Sequence, residues 1–325
     1  MSPRTYVCAR ASGPPQIDGR LDKPFWARAG WSEPFLDILG VEGPTPWFKT
    51  RMKMLWDDSF LYIGAELEEP HVWGSLTVRD SVIFNDNDFE IFIDPDGDNH
   101  LYGELEINAL NTVWDLLLVR PYRDAGPIIN GWDIAGLQHA VWVDGTLNDP
   151  SDTDRGWSLE VAIPWKALKE LSGPMACPPK VGDQWRANFS RVQWEHEVVN
   201  GMYRRVAGKP EENWVWSPQG VVDMHRPEEW GILQFGQTAE DAVLPYVGLA
   251  ERRELMRVYY AQKAFHSQHG RYASSIGELG MHSAAVVKSA GRFWSGVLGD
   301  WQVDHESRLV RLSQVRDVDR PSASQ

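Results

Sequence analysis

Short runs in which apolar and polar residues alternate with a period of two dominate the first 235 residues. Such runs cover residues 48–56, 60–69, 89–94, 102–110, 113–118, 137–145, 157–164, 185–194 and 228–235, and turn residues punctuate them. Alternation of this length predicts half-buried strands, and many short strands with frequent turns predict an all-β protein, an immunoglobulin-like or jelly-roll-type β-sandwich. Two segments break the alternation. Ile17 precedes an Asp-Gly turn, after which Pro24 opens a helical turn carrying Phe25 and Trp26. In IPWKALKEL, Trp165, Leu168 and Leu171 fall at helical spacing and predict a short helix covering an edge or end of the sandwich.

Beyond Phe235 the period changes. Leu255, Val258, Tyr259, Gln262 and Phe265 form a helical stripe that Gly270 is placed to end. SAAVVKS, RFWSGVLG and ESRLVRLS read as three short strands, and the terminal RDVDRPSASQ as a frayed end. The expected division is a sandwich domain over 1–236 and a small helix-plus-strand appendage over 237–325, which lacks the size and convergent polar residues of a catalytic unit.

The run FEIFIDPDGDNHLYGELEINALNTVWDLLL, residues 89–118, is unusual for its acids. Period two places Phe89, Ile91 and Ile93 on one face with Leu105 and Ile107, and leaves Glu90, Glu104, Glu106 and Asn108 on the other. Acceptors on a rigid sheet suit several sugar hydroxyls at once, although solvated outer-face glutamates are commonplace. The connecting turn offers Asp94, Asp96 and Asp98 at alternate positions, oxygen ligands suited to a structural calcium; the incoming helix and twelfth-position glutamate of an EF-hand are missing. A plain Asp-rich turn is the competing reading.

Composition narrows the function. A net charge of −14 argues against a nucleic-acid groove. There is no 18-residue apolar run for membrane insertion and no visible signal peptide, so the chain reads as soluble, with an extracellular or periplasmic address if its start is trimmed. Two cysteines, Cys8 and Cys177, could be bridged or free. The 17 tryptophans exceed what packing alone calls for. Trp26, Trp56, Trp157, Trp165, Trp185 and Trp230 fall where packing explains them; Trp73, Trp114, Trp132, Trp194, Trp214 and Trp216 lie near loops or the acidic face and are the stacking candidates.

IDGRLDKPFW, WDDSFLYIGAEL, NDFEIFIDPDGDN, GWSLEVAIPW and EEWGILQF, in that order, resemble the family 9 carbohydrate-binding modules over about residues 14–236. The resemblance implies a β-sandwich that grips a terminal sugar between two aromatic rings and holds calcium structurally; no organic cofactor is expected, although relatives of the same sandwich type include haem-binding subunits, whose iron Met202 and His196 or His225 could ligate here. It places the platforms at Phe84 and at Trp216 with its neighbour Trp214, and the polar contacts at Glu90, at Asn108 or Glu106, and at Asn188. Glu106 stands where the family has an arginine, an acceptor in place of a donor, which points to a different and even cationic sugar. Trp114, Arg191 and Trp194 complete the candidate sugar site. The expected partner is a mono- or oligosaccharide. The alternative is a glycoside hydrolase or lyase using a carboxyl pair from Glu90, Glu104 and Glu106, since retaining and inverting enzymes need pairs about 5–5.5 Å and roughly 6.5–9.5 Å apart.

Overall fold

The structure, a computed structural model, describes residues 2–314. Its elements are β1 (Thr5–Arg10), β2 (Leu36–Asp37), β3 (Thr50–Trp56), β4 (Phe60–Glu68), β5 (Asp88–Asp94), β6 (Tyr102–Asn108), β7 (Val113–Leu118) and β8 (Ile128–Ile129). There follow β9 (Gln138–Asp144), β10 (Gly156–Pro164), helix α1 (Trp165–Leu168), β11 (Gln184–Gln193), β12 (His196–Val199), β13 (Met202–Arg205), β14 (Glu212–Val215) and β15 (Gly231–Phe235). Every run predicted as a strand becomes one; the last loses its first residues to a 3-10 turn at Pro227–Glu229.

Hydrogen bonding runs without a break in the order β8-β7-β6-β5-β11-β15-β1-β3-β4-β10-β9, with β14 and β2 added beside β11. The sandwich is therefore one sheet folded over itself. Its hinge is β1, which pairs in parallel with β15 on one side and β3 on the other. The two halves close on a shared core in which Phe89, Ile91, Ile93, Leu105 and Ile107 meet Met52, Met54, Ile63, Leu159 and Val161. The α1 segment plugs one end, and the Trp165 ring meets Trp56, Trp185 and Phe235 edge-on. Cys8 and Cys177 are both free thiols, Cys8 fully buried.

One charged strut crosses this apolar core. Arg191 points inward from β11 and is fully buried. Its guanidinium donates to Glu69 at 2.6 Å, to Gln193, to Thr50 Oγ1 and to the Glu68 carbonyl, and lies 5.1 Å from the Trp214 ring centre. Burial lowers the Arg191 pKa and raises that of Glu69, so desolvation outweighs their mutual attraction. Such a pair adds little by existing and costs much when halved.

The C-terminal part has its own core. Helix α2 (Leu249–His269) packs Leu255, Val258 and Tyr259 against Val287, Trp294 and Val303 of a sheet formed by β16 (Val286–Ala290), β17 (Phe293–Leu298), β18 (Trp301–Asp304) and β19 (Leu309–Arg311). Three strands were expected; β18 is the fourth. Gly270 ends the helix in a left-handed conformation, as the sequence predicts. Residues 316–325, expected to fray, lie outside the described residues.

This appendage grips the Asp-rich hairpin turn. Arg308 Nε donates to Asp98 at 2.8 Å, Asn99 Nδ2 donates to the Ser307 carbonyl at 2.9 Å, and Arg252 donates to the Gly97 carbonyl. Gly97 has φ of +65°, and a Cβ there would meet Tyr246 Oη at 2.7 Å, so both turn and docking require glycine.

Replacing Glu69 with alanine should strand the Arg191 charge in the core. We expect a loss of about 3–5 kcal/mol in urea unfolding, whereas a loss below 1 kcal/mol would mean that water reaches the guanidinium.

Candidate functional site

The outer face of the β5–β6 hairpin forms the floor of a pocket of about 400 Å³. Cross-strand pairing puts Glu90 opposite Glu106 and Phe92 opposite Glu104, and Trp114 of β7 lies opposite Glu106 on the next strand. Phe84, in the loop before β5, flanks the acids and donates its backbone N–H to Glu106 Oε2 at 2.8 Å. Loop residues close the rim: Tyr122 after β7, Glu211 before β14, and Asp223, Met224 and His225 before β15. Tyr122 is about half exposed and meets the His225 ring edge-on at 4.4 Å.

The acids are deeply buried, with Glu90, Glu104 and Glu106 at 5%, 5% and 2% exposure and Asp88, two residues before Glu90 on β5, at 0%. One oxygen each of Asp88, Glu90 and Glu106 lies within 4.8 Å of the others. Both Asp88 oxygens, Glu90 Oε2, Glu104 Oε2 and the Trp114 indole N–H have no hydrogen-bond partner among the described residues. Burial first, and neighbouring carboxylates second, hold Asp88, Glu104 and Glu106 well above the ordinary carboxyl range; burial pushes Glu90 up to about 7. His225 is pushed down to about 4 by burial, which keeps its ring neutral at neutral pH. Among the described residues, no lysine or arginine lines the pocket.

Of the residues singled out in the sequence, Phe84, Glu90, Glu104, Glu106 and Trp114 meet here. The others are placed elsewhere. Trp214 pairs with Arg191 on β11, so period two turns its ring into the core with that of Trp216; they are 1% and 2% exposed and form no platform. Arg191 is the core strut. Asn108 is spent on the turn after β6: its Oδ1 accepts from the N–H groups of Leu110 and Thr112, and its Nδ2 donates to Leu76 O and Asp86. Asn188 ties β11 to Ser217 through both atoms of its amide. Trp194 lies in a neighbouring cluster with Trp73 and Val192, its N–H on the Phe84 carbonyl and Arg205 stacked at 4.4 Å. Trp73 and Trp132 are likewise buried, whereas Trp47 is 47% exposed.

Tyr122, Glu211 and Asp223 went unrecognised, and in the sequence His225 reads only as an iron ligand, because they sit in irregular segments, where no periodicity assigns a face. The two adjacent aromatic rings at the rim, Tyr122 and His225, lie 103 positions apart and only the fold joins them.

A larger groove of about 500 Å³ runs over the outer face of the other half, beside Trp31 and Trp142. Most of its charges are already matched, Arg51 with Glu66, Arg20 with Asp22 and Arg155 with Asp144, and arginines cover both rings. The unpartnered carboxylates single out the smaller pocket as the candidate site.

Residues 17–178 match the profile described as "Carbohydrate family 9 binding domain-like". The chain carries a family 9 carbohydrate-binding-like domain. The match stops short of β11, so it covers less of the chain than the sequence resemblance suggests. Over 173 residues the chain is 24% identical to "Exoglucanase XynX" of Acetivibrio thermocellus and 24% identical to "Endo-1,4-beta-xylanase A" of Thermoanaerobacterium saccharolyticum. These alignments take in 53% of this chain but only 14% and 13% of those proteins. A family 9 module from Caldicellulosiruptor kristjanssonii, solved in complex with cellotriose, is 18% identical with a TM-score of 0.45, over 75% of this chain and 99% of that one. No helix among the described residues is long and apolar enough to cross a membrane.

The family 9-like domain should show the pocket's titration in its stability. Because the folded-state value of Glu90 is raised, the folded form holds its proton more tightly than the unfolded chain. That contribution is complete below about pH 4.3 and is lost as pH rises through about 7. Urea unfolding in chelator should thus show stability falling across this window in the unaltered chain, with a shallower fall in Glu90→Gln. Identical slopes would remove Glu90 from the titration.

Proposed function

We propose that the pocket binds a mono- or oligosaccharide without cleaving it. The observation that carries this reading is the pairing of ring surfaces, Trp114, Tyr122 and Phe84, with carboxyl oxygens free to accept from hydroxyl groups. Pyranose rings offer apolar C–H faces to aromatic side chains and a rim of hydroxyls to acceptors. The family 9-like domain supports the same ligand class, and the glucanase and xylanase relatives suggest β-linked glucose and xylose oligomers as the first ligands to try. A chain that holds polysaccharide works where polysaccharide is found, so an extracellular or periplasmic address accompanies this reading.

Calcium in the Asp94, Asp96 and Asp98 turn belongs to the proposal as a structural ion. One oxygen of each lies within 4.8 Å of the others, which supports it. Against it stands competition: Asp94 accepts from the Gly97 and Asn99 N–H groups, and Asp98 from His100 N–H and Arg308.

Calorimetric titration with cellotriose, xylotriose and glucose should give saturable binding. Trp114→Ala or Tyr122→Ala should weaken it by roughly tenfold, about 1.4 kcal/mol, while Trp142→Ala in the other groove leaves it unchanged. Reducing ends released by the unaltered chain and lost in Glu90→Gln would make the carboxyls catalytic and overturn the reading. Binding lost only in Trp142→Ala would move the sugar to the opposite face.

A further inference from the structure

We infer that Asp88, Glu90 and Glu106 form a site for one hard divalent cation at the floor of the pocket. This site is distinct from the Asp94–Asp98 turn, to which the sequence draws attention. Three features of the fold carry the inference. First, geometry: a calcium ion takes oxygens at about 2.3–2.6 Å, so two of its ligands stand at most about 5 Å apart, and the three side chains already present oxygens within 4.8 Å of one another. Second, satisfaction: the turn's carboxylates accept from backbone N–H groups and from Arg308, whereas both Asp88 oxygens and Glu90 Oε2 are buried and have no well-formed hydrogen bond among the described residues. Buried polar atoms without partners are uncommon in native proteins, and a bound ion is one of the arrangements that satisfies them. Third, charge: Glu104 and Glu211 add acidic groups beside the three, and no lysine or arginine among the described residues lines the cavity to balance them.

All three ligands are carboxylates, without sulfur or imidazole among them. That donor set selects calcium, manganese or magnesium over zinc or copper. Entry is open, since Glu90 and Glu106 line the pocket, and the fully buried Asp88 presents an oxygen within 4.8 Å of theirs. Neighbouring strands hold the three ligands in register, Asp88 and Glu90 on β5 and Glu106 opposite Glu90 on β6. Little chain rearrangement is then needed to bind an ion.

The inference goes beyond sugar binding and is tested with no saccharide present, so failure of either leaves the other standing. The full chain, stripped with EDTA, is titrated calorimetrically with calcium chloride and with manganese chloride, and its thermal midpoint is followed in parallel. We expect one equivalent of at least one ion to bind and raise the midpoint. Glu106→Gln and Asp88→Asn should each lose at least tenfold in affinity, and Asp96→Asn should keep it. If Asp88→Asn does not fold, as judged by near-ultraviolet circular dichroism in EDTA, Glu90→Gln takes its place with the same expected loss. Binding by neither ion would overturn the inference, as would loss confined to Asp96→Asn. Glucosamine hydrochloride binding where neither metal binds would also overturn it and make the acids a receptor for an ammonium group.

Discussion

Everything distinctive about this protein follows from the register in which β5 lies between β6 and β11. With Glu90 opposite Glu106 and Ser190, and Phe89 opposite Ile107 and Arg191, alternate residues of one strand supply the core and the pocket floor. A slip by one position would exchange those faces, bury the acids among Met52, Ile63 and Leu159, and expose the apolar row. Packing thus fixes the chemistry: the apolar side chains that fill the sandwich hold the carboxyls at short spacing. Their mutual repulsion is tolerated because the opposite face of the same strands gains so much from burial.

Arg191 shows a second use of the same alternation. Its inward placement, between outward Ser190 and Val192, links β11 to the β3–β4 side of the sandwich through Thr50, Glu68 and Glu69. A charge in this position needs all its partners in place at once, which favours a single relative placement of the two halves.

The strands and the acidic hairpin were legible in the sequence because period two is a local signal. The covering helix and α2 were legible for the corresponding reason at helical spacing. What escaped depended on partners distant along the chain. Trp214 and Trp216 read as loop aromatics, yet the pairing of β14 with β11 turns them inward. Asn108 and Asn188 read as polar groups available to a ligand, but backbone donors and acceptors elsewhere absorb them. The meeting of Tyr122 with His225 escaped because their loops are brought together by the appendage. Tyr259 and Lys263 of α2 hold Asp124, and Tyr260 with Arg123 holds Glu228, next to the segments carrying Tyr122 and His225. The C-terminal part therefore contributes to the pocket without lining it.

The parallel pairing of β1 with β15 joins Thr5 to Ile232 and Cys8 to Phe235, so β1, whose other edge takes β3 early, finds its second neighbour only near the end of the sandwich sequence. During synthesis the sheet cannot join its halves until residue 235 has left the ribosome. Until then β1 and β11 each present a strand edge to the surroundings, a state that invites mispairing with another nascent chain. Closure is thus a late, long-range event, and until it occurs the acidic charge of the chain opposes association with a like-charged neighbour.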